Sequence, residues 1–406
     1  MADELGSAYP RLALRIERHL PGYIDAYFGP PEWKAQVEAE DPQPLDALSA
    51  QAGELLAEAQ RVTAAQRRRF LCKQLGAMQT TLRILAGERI AFRDEVQGLY
   101  DISPARVDDA LFEAALKELD DLLPGDGTIQ ERLRARRQRF AVPAERALDL
   151  FHVAIDEVRR RTRALFSLPD GEAVDIRLVN DKPWAAYNWY LGGHRSLIEV
   201  NADSPAHANA LTELMAHEGY PGHHAEHASK EKRLYEDNGW TEACVQLINA
   251  PECVISEGIA TTASEIIFDD GELEAWSRAE LYPRAGVNDD LPLEIVQRIR
   301  TLSYVLRGAS DNAALLLHEE GMPAEEVLTY LMRFSTRTPD ELQRYMRFLK
   351  DRVFRSYAFT YAAGRKLLEQ VFARHDKIAV FRRVLAEPLT PADLVEWSKT
   401  PGAVEP

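Results

Sequence analysis

His217-Glu218-Gly219-Tyr220-Pro221-Gly222-His223-His224 carries the residue types from which metal hydrolysis is built. Four of the ten histidines, His217, His223, His224 and His227, fall within eleven residues. A His-Glu pair followed by further histidines is how a helix offers Zn²⁺ its imidazole ligands and gives the neighbouring water a general base. The regular spacing puts the second histidine four residues after the first, so that both rings leave one helix face. Here that position is Pro221. Proline has no N–H for the carbonyl of His217 and its ring clashes there, so the helix must kink or stop. Gly222 then frees the backbone to turn. On a straight helix His224 would sit about two turns along, roughly 10 Å from His217. Only a bend lets His223 or His224 share one ion with His217, and His223 is the favoured one.

A third ligand is expected from a later helix, and Ser256-Glu257-Gly258-Ile259-Ala260 offers Glu257. Cys253-Val254-Ile255 precede it and Ile259-Ala260 follow it. A carboxylate in such surroundings is expensive unless it is paired or binds a metal. The reading is a Zn²⁺ hydrolase in which His217, His223 and Glu257 hold the ion, with His224 as the alternative or supporting histidine. A zinc so held polarises a carbonyl and brings the pKa of water down to about 7. Glu218 then serves as general base and passes the proton to the leaving amine. Imidazole with carboxylate also suits other divalent metals. His227 is expected to be exposed, His194 to stand in a turn or line the cleft, and Cys253 to be a buried inert thiol.

HEGYPGHH followed by SEGIA resembles a bacterial family called domain of unknown function 885, with a motif close to HExxPGHH and a downstream SEGxA. That family is similar in fold to the thermophile-type metallocarboxypeptidases, mostly helical proteins with HExGH and a glutamate on a following helix. Aligning Gly222-His223 with that Gly-His leaves a two-residue insertion and supports His223 as the ligand. Arg307, Asp311 and His318 resemble the family's R…D…H segment, and Tyr357 to Gly364 its late Y…G segment. The likeness spans roughly residues 180 to 370. The chain departs from the pattern in being shorter and in lacking, in SEGIATTAS, the aromatic residue common after SEG. The resemblance implies peptide or small-amide hydrolysis and places His318, Tyr357 and Tyr361 near the site as donors to an oxyanion. Carboxypeptidase action needs a cation for the substrate's terminal carboxylate, for which Arg307, Arg355 and Arg365 are the candidates. Asp311 or Glu226 is expected to orient a ligand from behind.

The elements that must position these groups are mostly helical. Arg11 to Leu20, Leu45 to Ala59, Ala64 to Ala86, Pro104 to Leu123 and Pro143 to Leu168 have apolar residues at helical spacing, separated by Pro and Gly. Charged stretches at Glu88 to Glu95 and Glu131 to Arg139 read as solvated faces. Alternation in Val174 to Val179, aromatic residues in Trp184 to Trp189, and Ser196 to Val200 predict a small β element. It could hold substrate backbone at its edge or simply cover the core. Asp203-Ser204-Pro205 supplies a cap and a first-turn proline for the His217 helix. From residue 241 onward the pattern is helical again. The fold class is mainly α: a large helical metallopeptidase-like fold with a small β hairpin or sheet beside a central metal cleft. It is read as one domain over 1–406, with an amino-terminal helical layer (1–170), a metal-site region (171–370) and a helical tail (371–406).

A hydrophobic fraction of 46% over 406 residues is ample for a core. Net charge of −16 argues against nucleic acid and an anionic membrane surface as partners. Three scattered cysteines exclude a disulfide framework and a CxxC zinc site. With no signal-like start and no long apolar run, the expected location is cytoplasmic. Two other classes compete. A di-iron or di-manganese carboxylate protein would want a Glu-x-x-His pair on each of two helices, and nothing near the cluster supplies one. A catalytically silent protein with a structural zinc would want four protein ligands.

Overall fold

The computed structural model describes residues 4–400 except 183 and 204, together with residues 402 and 404. It is mainly helical, with five short strands in two small sheets. Helix Leu45–Ala59 forms where the sequence predicts it, burying Leu48, Ala52, Leu55 and Ala59 along one stripe. Helix Ala144–Leu165 does the same with Ala147, Leu150, Phe151, Ala154 and Val158. Helices Ala65–Leu85 and Asp109–Leu122 also follow their apolar patterns. The first helix runs Glu4–Glu17, ahead of the predicted start at Arg11.

The two charged stretches are largely solvated as read, Glu88, Arg89, Arg93, Asp94, Glu131 and Arg139 being exposed, with exceptions that pair across the fold. Phe92–Tyr100 is a helix whose Glu95 is buried against Arg355, and Ile129–Arg139 is a helix opened by a Thr128–Glu131 capping box. Charge there marks cross-chain ion pairs: Arg136 binds the buried Asp289.

Helix Pro251–Ile267 is the axis of the metal-site region. Thirteen of its seventeen residues are buried, so it reads as apolar nearly all round. Cys253 and Val254 join one core with Ile84, Val96 and Phe359, while Ile255, Ile259 and Ala263 join another with Ile155, Met215 and Ala225. It packs on helix Phe359–Phe372 backbone to backbone. A Cβ at Gly364 would lie 2.1 Å from the carbonyl oxygen of Val254, and one at Gly258 would lie 2.8 Å from Gly364. Only a glycine pair permits that approach, which carries Tyr357, just before the second helix, and Tyr361, in its first turn, toward Glu257.

The β element is a three-stranded sheet. Strand β2 (Ala173–Val179) pairs in parallel with β4 (Arg195–Asn201), and β3 (Ala186–Gly192) pairs antiparallel with the other side of β4. The predicted hairpin is therefore β3–β4, turned at Gly193 and His194, both at positive φ, and β2 is an added parallel strand. His194 is a turn residue that meets Glu236. A second sheet was not predicted: β1 (Ile24–Tyr27) pairs antiparallel with β5 (Val245–Leu247), with a register shift between Ile24 and Ala26. Among the described residues, no helix is long and apolar enough to cross a membrane.

Candidate metal centre

The His217 helix runs Leu211–Glu218 and does not begin at the predicted Asp203-Ser204-Pro205 cap, of which Ser204 lies outside the described residues. Residues 206 to 208 are instead extended against Phe140 to Val142. Val142 N–H donates to Ala206, Ala208 N–H donates to Phe140, and Ala141 bridges His207. Those backbone bonds outcompete the first helical turn.

The helix then breaks where Pro221 demands. Gly222 N–H donates to the Ala216 carbonyl at 2.9 Å, folding the chain back onto the last turn. A Cβ at position 222 would lie 1.9 Å from the carbonyl oxygen of His217, so glycine alone fits. A new helix, His223–Lys230, starts at once and continues as a wider turn to Asp237. The bend brings the His217 and His223 rings to a centroid separation of 4.8 Å, nearly perpendicular to one another.

Glu257 completes the group. One ligand atom from each of His217, His223 and Glu257 lies within 4.8 Å of the other two. His217 Nε2 is 3.6 Å from Glu257 Oε2. Glu257 is 3% exposed; its Oε1 accepts from the Tyr357 hydroxyl at 2.7 Å, while its Oε2 has no hydrogen-bond partner among the described residues. A buried carboxylate oxygen left bare beside two imidazoles fits a cation. His223 Nδ1 lies 3.0 Å from Ser256 Oγ, which itself donates to Glu226 at 2.6 Å. With the serine hydrogen spent on Glu226, His223 Nδ1 must be the donor, which leaves Nε2 bare for a metal.

The electrostatics agree. Burial lowers the His217 pKa to about 4, aided by the nearby Arg307 charge, and pushes that of His223 well below its ordinary value. Both imidazoles are thereby neutral, as ligands must be. Burial raises Glu218 and Glu257 to about 8. Glu218 is 7% exposed, follows His217 directly and has its backbone carbonyl held by Asn188 of β3 at 2.6 Å. The residues present fit one divalent ion held by two imidazoles and a carboxylate, with Glu218 beside it.

Other expected residues fall elsewhere. His224 does not join the group: its ring is fully buried, with Nδ1 2.8 Å from Ser196 Oγ and Nε2 3.2 Å from Glu172, so both nitrogens are engaged. His318 is likewise engaged on both sides, with Nε2 donating to the Leu349 carbonyl at 2.6 Å and Nδ1 3.4 Å from Arg355, over Phe92. It lines a separate cleft of about 630 Å³ with Glu95 and Arg352. Arg355 is consumed by a two-pronged bond to Glu95, at 3.0 and 2.5 Å, and Arg365 by Glu265 and Glu369. His227, expected to be exposed, is 3% exposed against Tyr190. Asp311 makes no hydrogen bond among the described residues; burial raises its pKa to about 8. Cys253 donates its thiol to Leu247, as a buried inert cysteine should.

Tyr357, Tyr361 and Arg307 lie beside the group. Tyr361 is 44% exposed, stacks on the His217 ring at 6.5 Å and meets Tyr357 edge-on. Arg307 lies over Tyr304 at 4.2 Å, its charge is felt at His217, and it has no carboxylate partner among the described residues.

Two residues at the site escaped the sequence reading. Asp25 falls at the β1 register shift, accepts from the Tyr187 hydroxyl of β3, and adds to the negative field at Glu218. A bulge is a usual device for re-aiming a side chain, but nothing in IDAY announces it. Lys230 is the other, buried between Glu226 and Glu252.

No family model matches the sequence, and no curated protein matches it. Solved structures do share the fold. A protein of Colwellia psychrerythraea, provisionally described as a lipoprotein, superposes with a TM-score of 0.53 at 17% identity over 87% of this chain. A second, from Shewanella oneidensis and provisionally described as a lipoprotein of unknown function, gives 0.50 at 12% identity over 91%. The chain spans about 65% of the length of the first and 75% of the second. At these identities the likeness concerns the fold alone.

Proposed function

We propose that the protein is a metal-dependent hydrolase of peptide or small amide bonds, of the kind implied by its resemblance to the domain of unknown function 885 family. The observation that carries this reading is the convergence of His217, His223 and Glu257 on one point beside Glu218. His217, His223 and Glu257 would hold Zn²⁺ or a similar divalent ion. When bound, such an ion supplies Lewis acidity, polarising a carbonyl and acidifying water.

The chain's own groups do the rest. Glu218, buried and next in sequence to His217, takes in its ionised form a proton from the attacking water and returns it to the leaving amine. Tyr361, beside His217 and 44% exposed, donates to the oxygen that gains charge. Arg307, stacked but unpaired, holds a substrate's terminal carboxylate, which gives the reading its carboxypeptidase character. Strand β3, at the edge of its sheet and tied by Asn188 to the end of the His217 helix, is placed to lie along substrate backbone.

Three protein ligands favour a catalytic centre over a structural zinc, which would be closed by a fourth. Among the described residues, the di-metal carboxylate reading has no second pair of ligand helices in its favour. The cytoplasmic location remains a proposal for cell fractionation to test; the lipoprotein description belongs to the two neighbours.

The test is a peptide-library digest with purified protein, chelator-treated protein and protein restored with Zn²⁺. Expected is cleavage that chelator abolishes and metal restores. Cleavage indifferent to chelator would overturn the reading.

A further inference from the structure

A second group of metal-ligating side chains adjoins the first. His223, Glu226 and His227 each offer an atom within 4.8 Å of the other two, and Nδ1 of the buried His227 has no partner among the described residues. By donor type alone this group could take a second ion, making the centre dinuclear.

The carboxylates decide otherwise. Lys230, 2% exposed and one turn beyond Glu226, donates its ammonium to Glu226 Oε1 and to Glu252 Oε1, each at 2.7 Å. Ser256 Oγ donates to Glu226 Oε2 at 2.6 Å, and the Gln74 amide lies 3.5 Å from Glu252 Oε2. All four oxygens of this acidic pair therefore have donors. Glu257, a few residues along the same helix as Glu252, keeps one buried oxygen bare. The two groups share His223 and differ in charge: among the described residues no ammonium or guanidinium pairs with Glu257, whereas Lys230 already pairs with Glu226 and Glu252. A dication entering beside His227 would meet a buried ammonium with little water to screen it.

We infer that Lys230 is a fixed cation standing in the place of a second metal ion, so that the centre takes one ion and Glu226 is left to hold Ser256 against His223. This rests on the proposal that His217, His223 and Glu257 bind a metal. Although burial alone would lower its pKa, Glu226 and Glu252 hold Lys230 above its ordinary value, so the charge is permanent across the working range. The lysine acts as a positioning residue: Glu226 orients the serine, and the serine fixes the histidine.

The experiment is metal stoichiometry, read by elemental analysis after equilibrium dialysis against Zn²⁺ and by visible absorption during Co²⁺ titration. Wild type is expected to saturate at one ion per chain. The double variant K230M/E252Q removes one charge of each sign, so the fold keeps its balance, and frees Glu226 Oε1 beside His227 Nδ1. It is expected to take two ions, and adding H227A should return it to one. K230R, which retains the charge, should stay at one. A folded K230M/E252Q that still takes one ion would overturn the inference, as would wild type saturating at two, a measurement that needs no variant. Wild type binding none would instead bring down the metal-site reading beneath it.

Discussion

Nε2 of His217 lies 3.6 Å from Oε2 of Glu257, an oxygen with no hydrogen-bond partner within 3.5 Å among the described residues, although the residue is 3% exposed. Residues forty positions apart are held in this unsatisfied arrangement by two backbone devices. One is the Pro221-Gly222 fold-back onto the His217 carbonyl, and the other is the contact of Gly258 with Gly364. An unpaired buried acceptor is unfavourable unless something fills the gap. A divalent ion would do so.

Glu218→Gln keeps the shape of the side chain and removes its basicity. Turnover should fall by about 10²- to 10⁴-fold, the usual contribution of a positioned general base. Metal content should be unchanged. Measuring kcat alongside bound metal separates a base from a ligand, since loss of the ion would assign Glu218 to the coordination set.

The two tyrosines should behave differently. Tyr357→Phe removes the donor to Glu257 Oε1, so metal affinity should weaken, by roughly 10- to 100-fold for a group that orients a ligand. Tyr361→Phe, whose hydroxyl also acts weakly on Glu257, should weaken affinity less than Tyr357→Phe and reduce kcat about 100-fold, the scale of one lost oxyanion donor. Chelator competition reads the first effect and saturating kinetics the second. Equal effects of both variants on affinity would deny Tyr361 its catalytic role.

Stability of the metal-free protein should depend on pH in a defined direction. Glu218 and Glu257 are held at about 8 in the fold, against an ordinary 4.5, so over that interval the native state binds more protons than the unfolded chain. Their contribution falls as pH rises from 4.5 toward 8. His217, held at about 4 against 6.5, works the other way, but only below 6.5. Between pH 6.5 and 8 the carboxyls act unopposed, and Tm of the metal-free form should decline. Saturating Zn²⁺ replaces the proton on Glu257 and should flatten that decline. Asp311, also near 8, contributes to the slope in both forms. A slope identical with and without metal would argue that no ion meets these groups.

The arginines separate recognition from stability. Arg307→Ala should raise KM for peptides with a free carboxyl terminus by about tenfold, roughly 1.4 kcal/mol, and leave their carboxamides unaffected. Arg355→Met should lower stability by about 3 kcal/mol, because it strands the buried Glu95. Denaturant titration and paired-substrate kinetics check the two. Equal KM changes for acid and amide would remove Arg307 from carboxylate binding.

Much of the centre was legible in the sequence because it depended on local rules. Proline at position 221 forbids the regular spacing, glycine at 222 permits the return, and a glutamate among Val254, Ile255 and Ile259 needs a cation. The helical layer was legible from its apolar stripes. What escaped depended on partners distant in the chain. His224 and His318 differ from His223 only in what meets their ring nitrogens, Glu172 with Ser196 in one case and Leu349 with Arg355 in the other. Arg355 and Arg307 differ only in whether a buried glutamate stands opposite. Asp25 and Lys230 depend on a bulge and on burial between Glu226 and Glu252, which no local pattern marks. The first turn expected after Pro205 was lost to extended pairing with Phe140 to Val142, again a tertiary competitor.

The most direct test is metal content in a set of single variants purified under identical conditions. Wild type and His224→Ala should each retain one ion per chain, while His217→Ala, His223→Ala and Glu257→Ala should retain far less than one. If His224→Ala loses the ion while His223→Ala keeps it, or if wild type binds none after dialysis against Zn²⁺, the proposed centre is wrong.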